Sequence, residues 1–230
     1  RILSSLFSKN RIYDLLNYGI CYVNEIDKDT GKITIQKHIM RYPQFFATKA
    51  IRNRLDEGVK KGVIWHTQGS GKTALAFFNV RSLQDYFSKK NIVPKFYFIV
   101  DRLDLATQAK DEFSKRGLVV HSIDSRDGLL KDFACNASSE GITVVNIQKF
   151  NEDTQTLKDS GYNINVQKIF FIDEAHRSYD PKGSFLASLY NSDKGSIKFA
   201  LTGTPLIIYK DRDKDGEIAK DSQKEDSKTT

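Results

Sequence analysis

This chain has little of what marks several classes of protein. It holds 2 cysteines, Cys21 and Cys135, with no CxxC pairing and no histidine cluster beside either. That excludes a disulfide-stapled scaffold, gives no hint of a structural metal site, and suits a reducing compartment. No run approaches the roughly 20 consecutive apolar residues that a membrane-crossing helix needs, and the first residues carry no secretory signal pattern. The expectation is a soluble, intracellular protein with no membrane partner. Internal repeats are absent too. Methionine occurs once, at Met40, and the chain opens on Arg1, which points to a piece of a longer polypeptide.

What is present is basic and of one-domain size. The net charge is +7 over 230 residues, but residues 209–230 carry six basic and seven acidic side chains, so residues 1–208 hold +8. Such a domain suits a polyanionic partner, and its length suffices for one well-buried core. The tail from Lys210 is rich in mixed charge and poor in apolar residues, as a flexible segment or a severed loop would be.

Periodicity divides the remainder. Ser8 is a candidate N-cap for a helix carrying Ile12, Leu15 and Leu16. The runs ICYV and ITIQ flank the turn Asp29-Thr30-Gly31-Lys32, as in a small antiparallel hairpin. From Tyr42 to about Leu55, Ala47, Ile51 and Leu55 share a helical face, and Gly58 is a stop signal. Beyond Gly62 the short runs VIW (63–65), FYFIV (96–100), ITVV (142–145), IFFI (169–172) and IKFAL (197–201) alternate with helical stretches. Runs apolar on both faces are what buried parallel strands require, and the alternation is that of βαβ units. One helix would carry Ala76, Val80, Leu83 and Phe87 on its core stripe, and the next Leu105, Ala109 and Phe113 before Gly117. The expected fold is α/β, a RecA-like, mostly parallel sheet with helices on both faces.

Three strings carry chemistry. HTQGSGKT (66–73) follows a strand and opens a helix, the setting in which backbone N–H groups cradle phosphate. Its leading position holds His66 where the general phosphate-loop pattern has glycine. Gln68, Gly69, Ser70, Gly71 and Lys72 would wrap the phosphates of a nucleoside triphosphate such as ATP, Lys72 would add a point charge, and Thr73 a hydroxyl for Mg2+. FFIDEAH (170–176) delivers Asp173 and Glu174 at the end of an apolar strand. Metal-assisted phosphoryl transfer wants one carboxylate for magnesium and another group to orient the attacking water, which assigns Asp173 to the metal and Glu174 to the water. An acid pair capping the next helix is the alternative. ALTGTP (200–205) sets Thr202 and Thr204 around Gly203 on a turn able to sense the γ-phosphate region. His176, otherwise a structural hydrogen bonder, would link that turn to the ATP site. Gln44, in RYPQFFA, carries an amide that can pair with both hydrogen-bonding edges of adenine; surface decoration is the alternative.

Taken together, RYPQFFA, HTQGSGKT, FIVDRLDLATQ (98–108), NIQKF (146–150), FFIDEAHRS (170–178) and ALTGTP resemble successive motifs of superfamily 2 translocases. Their wording resembles that of the restriction and translocation (R) subunit of type I restriction-modification enzymes, over residues 40 to 207. The resemblance implies ATP-driven translocation on double-stranded DNA, in a cytoplasmic bacterial or archaeal complex with methyltransferase and specificity subunits. It also places Asp101, Arg102, Gln148 and Lys149 on segments facing nucleic acid. From the residues alone, phosphate contact and a solvated or salt-bridged surface are equally open for Arg102 and Lys149. Asn146 stands where many relatives have threonine.

The expected organisation is a helical and hairpin segment at 1–40 joining an upstream domain, a first motor lobe at 41–208 and a polar tail at 209–230. No second lobe with arginine fingers follows Pro205, and residues 1–40 show no nuclease constellation. The chain alone is therefore expected to bind ATP modestly and hydrolyse it poorly. Another superfamily 2 helicase or remodeller-like translocase, and a nucleotide-gated interaction module without motor activity, are the competing functions.

Overall fold

Apolar strands that end together and helices that return between them build a single parallel sheet. The computed structural model describes residues 8–27, 29–123, 125–134, 140–147, 165–174 and 195–204. Within them the chain runs α1 (Lys9–Tyr18), β1 (Ile20–Ile26), β2 (Ile33–Ile39), α2 (Tyr42–Asp56), β3 (Lys61–Trp65), α3 (Lys72–Ser88), β4 (Val93–Val100), α4 (Leu103–Lys115), β5 (Val120–Ile123), α5 (Arg126–Ala134), β6 (Ile142–Asn146), β7 (Val166–Asp173) and β8 (Ile197–Thr202). Six strands pair in the order β3-β8-β7-β4-β6-β5, every neighbour parallel. All their C-terminal ends therefore share one rim, which is where open α/β sheets bind ligands.

The anticipated stripes are the ones that pack. On α3, Ala76, Val80, Leu83 and Phe87 are buried with Leu75, Phe77 and Phe78, and on α4 Ala109 and Phe113 are buried. These join Phe96, Phe98, Ile169, Phe171, Phe199 and Leu201 in the larger core, while Tyr97, Ile99, Phe170, Ile172, Leu129 and Phe133 fill the opposite face. Burial of so much apolar side chain, at about 25 cal/mol per Å², is what drives the chain into this sheet.

Polar ties then fix α2 against α3. The buried Asn79 donates through Nδ2 to Thr48 Oγ1 at 3.2 Å and to the Leu75 carbonyl at 2.8 Å. Tyr86 Oη donates to Asp56 Oδ1 at 2.7 Å. Arg81 reaches the Ile20 carbonyl at 2.6 Å and so attaches the hairpin.

Two features differ from the sequence reading, and a pair of buried lysines adds to it. The run VIW forms β3 but is not buried: β3 is an edge strand, with Val63 exposed at 65% and Trp65 at 62%. Neither β5 nor α5 was anticipated, because β5 is a four-residue edge strand whose His121 and Ser122 face solvent and break the apolar run. Lys95 and Lys198 are buried in strands; Lys95 Nζ lies 3.0 Å from Asp132 Oδ1 and Lys198 Nζ donates to Ser196 Oγ at 2.5 Å. The hairpin pairs as expected, with Cys21 and Val23 against the core, but Tyr22, Ile26, Ile33, Ile35 and Ile39 stand exposed on its other face. Among the described residues no helix is long and apolar enough to cross a membrane.

Candidate nucleotide site

The loop between β3 and α3 adopts the conformation its glycines allow. Gly69 and Gly71 have φ of 75° and 83°, a left-handed region that other residues enter at a cost. Gly71 is the N-cap of the 17-residue α3, so the free N–H groups of that helix's first turn open toward the loop. A methyl at Gly71 would also meet Gln44 Nε2 at 2.6 Å, so a side chain there would strain the backbone and displace the Gln44 carboxamide. The Ser70 hydroxyl is buried without a hydrogen-bond partner among the described residues.

Gln44 is the brace beneath this loop. Its side chain is buried; Oε1 accepts from the Arg41 N–H at 2.9 Å, and Nε2 donates to the carbonyls of Gly71 at 3.0 Å and Ser70 at 3.4 Å. The sequence reading placed Gln44 at an adenine; the structure places its carboxamide on the loop itself. Gln44→Glu would set a carboxylate against two carbonyl oxygens. A loss of roughly 1–3 kcal/mol of stability is expected, measured by denaturant unfolding, and unchanged stability would contradict the brace.

Strand order carries the acid pair to the loop. Asp173 ends β7 and is in register with Leu201 of β8, while Trp65 at the end of β3 is in register with Thr202. Glu174 follows with φ of 47°, and its N–H donates to Asp173 Oδ1 at 3.1 Å. That turn aims Glu174 across β8 to Lys72, whose Nζ donates to Glu174 Oε1 at 2.8 Å; the two side chains are 8% and 22% exposed. Residues 102 positions apart in sequence thus meet at one rim.

Thr202 is buried, and its Oγ1 accepts from the Thr204 N–H at 3.1 Å. Its carbonyl accepts from the His66 N–H at 3.0 Å, so the segment after β8 lies on the loop. Gly203 is closer still: a methyl there would stand 3.8 Å from Lys72 Nζ. Sequence reasoning treated Gly203 only as the centre of a turn. Burial, and then the neighbouring Lys72 ammonium, push the His66 imidazole below its usual value and favour the neutral ring.

Thr73 is the second residue of α3, and Asp101 and Arg102 follow β4 on the same rim, Arg102 as the N-cap of α4. His176, Gln148 and Lys149 lie outside the described residues. The site offers backbone donors, a helix N-terminus and an ammonium for a polyphosphate, with a hydroxyl and a carboxylate of the kind magnesium takes. The donor set fits a magnesium-bound nucleoside triphosphate.

A glycine loop feeding a helix N-terminus at the C-terminal rim of an all-parallel sheet, with an acid pair on a nearby strand, defines a RecA-like P-loop fold. The model of the SWI2/SNF2 ATPase family matches residues 43–220, and the chain belongs to that family. It is 34% identical over 157 residues to a Methanocaldococcus jannaschii protein named as the endonuclease subunit of type I restriction enzyme MjaVIIP, covering 60% of this chain and 14% of that protein. It is 30% identical over 172 residues to the endonuclease subunit of type I restriction enzyme SauMSSORF170P of Staphylococcus aureus, covering 72% of this chain and 17% of that subunit. The chain therefore spans less than a fifth of the length of these two relatives. Among solved structures, the Sulfolobus solfataricus SWI2/SNF2 ATPase core in complex with dsDNA gives a TM-score of 0.47 at 18% identity, over 72% of this chain and 32% of that one.

Proposed function

We propose that this chain is the first motor lobe of a type I restriction enzyme R subunit, in which ATP hydrolysis drives translocation on double-stranded DNA before cleavage. The observation that carries the reading is the 2.8 Å contact between Lys72 and Glu174, which brings the phosphate loop and the acid pair into a single site. The family supports ATP use, and the names of the relatives support the restriction setting.

The residues divide the work as follows. The N–H groups of Gln68, Gly69, Gly71 and Lys72, and that of Ser70 once it leaves the Thr67 carbonyl it bonds at 3.2 Å, would hold phosphate oxygens, and the Lys72 ammonium, released from Glu174, would take the terminal phosphates. Thr73 and Asp173 would hold Mg2+, which when bound offsets phosphate charge. Glu174, once Lys72 has left it, would orient the attacking water and accept its proton. Gln44 acts from below by setting the Ser70 and Gly71 carbonyls; an adenine contact would require its carboxamide to release one partner. Thr202, Thr204 and His176 would relay phosphate loss, and Asp101, Arg102, Gln148 and Lys149 would face DNA.

On this reading residues 41–208 are the lobe, and the tail at 209–230 lies outside it. The apolar outer face of the hairpin supports residues 1–40 as a joint to another part of a longer polypeptide. Methyltransferase and specificity subunits are the proposed partners, and the cytoplasm of a bacterium or archaeon the proposed location. A second lobe would be needed for fast turnover, since arginine fingers contribute about 10³–10⁵ in rate.

The polypeptide at its natural length tests this. Its ATP hydrolysis is expected to rise severalfold or more with duplex DNA and not with RNA. Stimulation by RNA would replace the reading with an RNA helicase, and stimulation by neither would favour a nucleotide-gated module. The match to the SWI2/SNF2 model favours a remodeller-like translocase as the second reading; DNA cleavage by the natural-length polypeptide with its partner subunits separates that from a restriction motor.

A further inference from the structure

Trp65 is the chain's single tryptophan, and none of the roles above uses it. It closes β3 immediately before the phosphate loop and is largely exposed, so burial does not explain an indole at that place. Its hydrogen bond does: Nε1 donates to the Gly203 carbonyl at 3.1 Å. The turn that contains Gly203 is already fixed on the loop side by the bond between the His66 N–H and the Thr202 carbonyl, and internally by the bond from the Thr204 N–H to the Thr202 hydroxyl. A methyl on Gly203 would stand 3.5 Å from the Gln68 nitrogen, 3.6 Å from the His66 carbonyl oxygen and 3.8 Å from Lys72 Nζ. The indole therefore reaches from the strand that feeds the loop to the segment lying against the Lys72 ammonium.

We infer that Trp65 is a positioning residue: its indole N–H latches the Thr202–Thr204 turn to the phosphate loop, so that the turn responds to a terminal phosphate at Lys72. The inference rests on the ATP reading above and deepens it. A phosphate that takes Lys72 must draw the ammonium off Glu174, and Gly203 is among the backbone neighbours that this movement meets. Glycine has no side chain with which to relay it. Its carbonyl is the available handle, and Trp65 holds that carbonyl. A nucleoside diphosphate offers Lys72 its β-phosphate but no γ-phosphate, so the latch bears more on ATP than on ADP.

Trp65→Phe keeps an aromatic ring and removes the N–H, at an exposed site where little packing is lost. Calorimetry on this chain with magnesium, using ADP and a non-hydrolysable ATP analogue as probes, reads the effect. The analogue's affinity is expected to fall about fivefold, the worth of one hydrogen bond, and that of ADP to stay within about twofold. In the unaltered chain, Trp65 emission should shift further with the analogue than with ADP. An equal effect of the substitution on both nucleotides, or on neither, overturns the latch, as does emission that ignores an analogue shown to bind. Should the unaltered chain bind neither nucleotide, the ATP reading itself fails and the latch falls with it.

Discussion

Glu174→Gln is expected to retain ATP, to bind it severalfold more tightly than the unaltered protein, and to lose turnover by a factor on the order of 10² to 10⁴. The two effects have different causes in one side chain. Before nucleotide arrives, Glu174 holds the Lys72 ammonium at 2.8 Å, so an incoming phosphate competes with a carboxylate for the same cation. Glutamine lacks the charge, and Lys72, only 8% exposed, is left with a stronger need for an anion. The same exchange removes the group able to accept a proton from water. Calorimetry on the chain reads the first effect, and steady-state hydrolysis by the natural-length polypeptide reads the second. Hydrolysis at the unaltered rate would remove Glu174 from the water-orienting role, and weaker ATP binding would contradict competition for Lys72.

Lys72→Ala should lower ATP affinity on the order of a hundredfold or more, the scale of a charge-assisted contact to phosphate. The substitution deletes the cation, and it also leaves the Glu174 carboxylate without its Lys72 contact near the place where phosphate must sit. Both changes repel the nucleotide, so the loss should exceed that of any loop substitution that only loosens geometry. Calorimetric titration with magnesium and ATP checks it, alongside a melting curve to confirm that the chain still folds. Unchanged affinity would mean that the phosphates lie elsewhere.

Much of this was written in local pattern. The β3–α3 loop was legible because Gly69, Gly71 and Lys72 have meaning within eight consecutive residues, and the stripes of α3 and α4 because helical spacing survives in the fold. The Lys72–Glu174 pairing was only half legible. The strings announced a shared ligand, but the reach of Glu174 depends on its own backbone at φ 47° and on β8 lying between β3 and β7, neither of which spacing encodes.

Other features have the same origin. Gln44 reads as an adenine contact or as surface decoration, and its bonds to the loop carbonyls need α2 docked on α3 through Thr48 and Asn79. Trp65 reads as a buried strand residue until β3 turns out to be an edge. Lys95 and Lys198 sit in strands, where a lysine ordinarily signals solvent, and Asp132 and Ser196 are among the partners that make their burial tolerable. Gly203 carried no signal of its own, since its importance is the distance to a residue on another strand's loop.

The most direct test is a crystal structure of this chain grown with magnesium and a non-hydrolysable ATP analogue. The account predicts phosphate oxygens on Lys72 Nζ and the loop N–H groups, magnesium between Thr73 and Asp173, and Glu174 moved beyond salt-bridge distance of Lys72. Nucleotide bound away from this rim, or bound with the 2.8 Å Lys72–Glu174 contact intact, would contradict it.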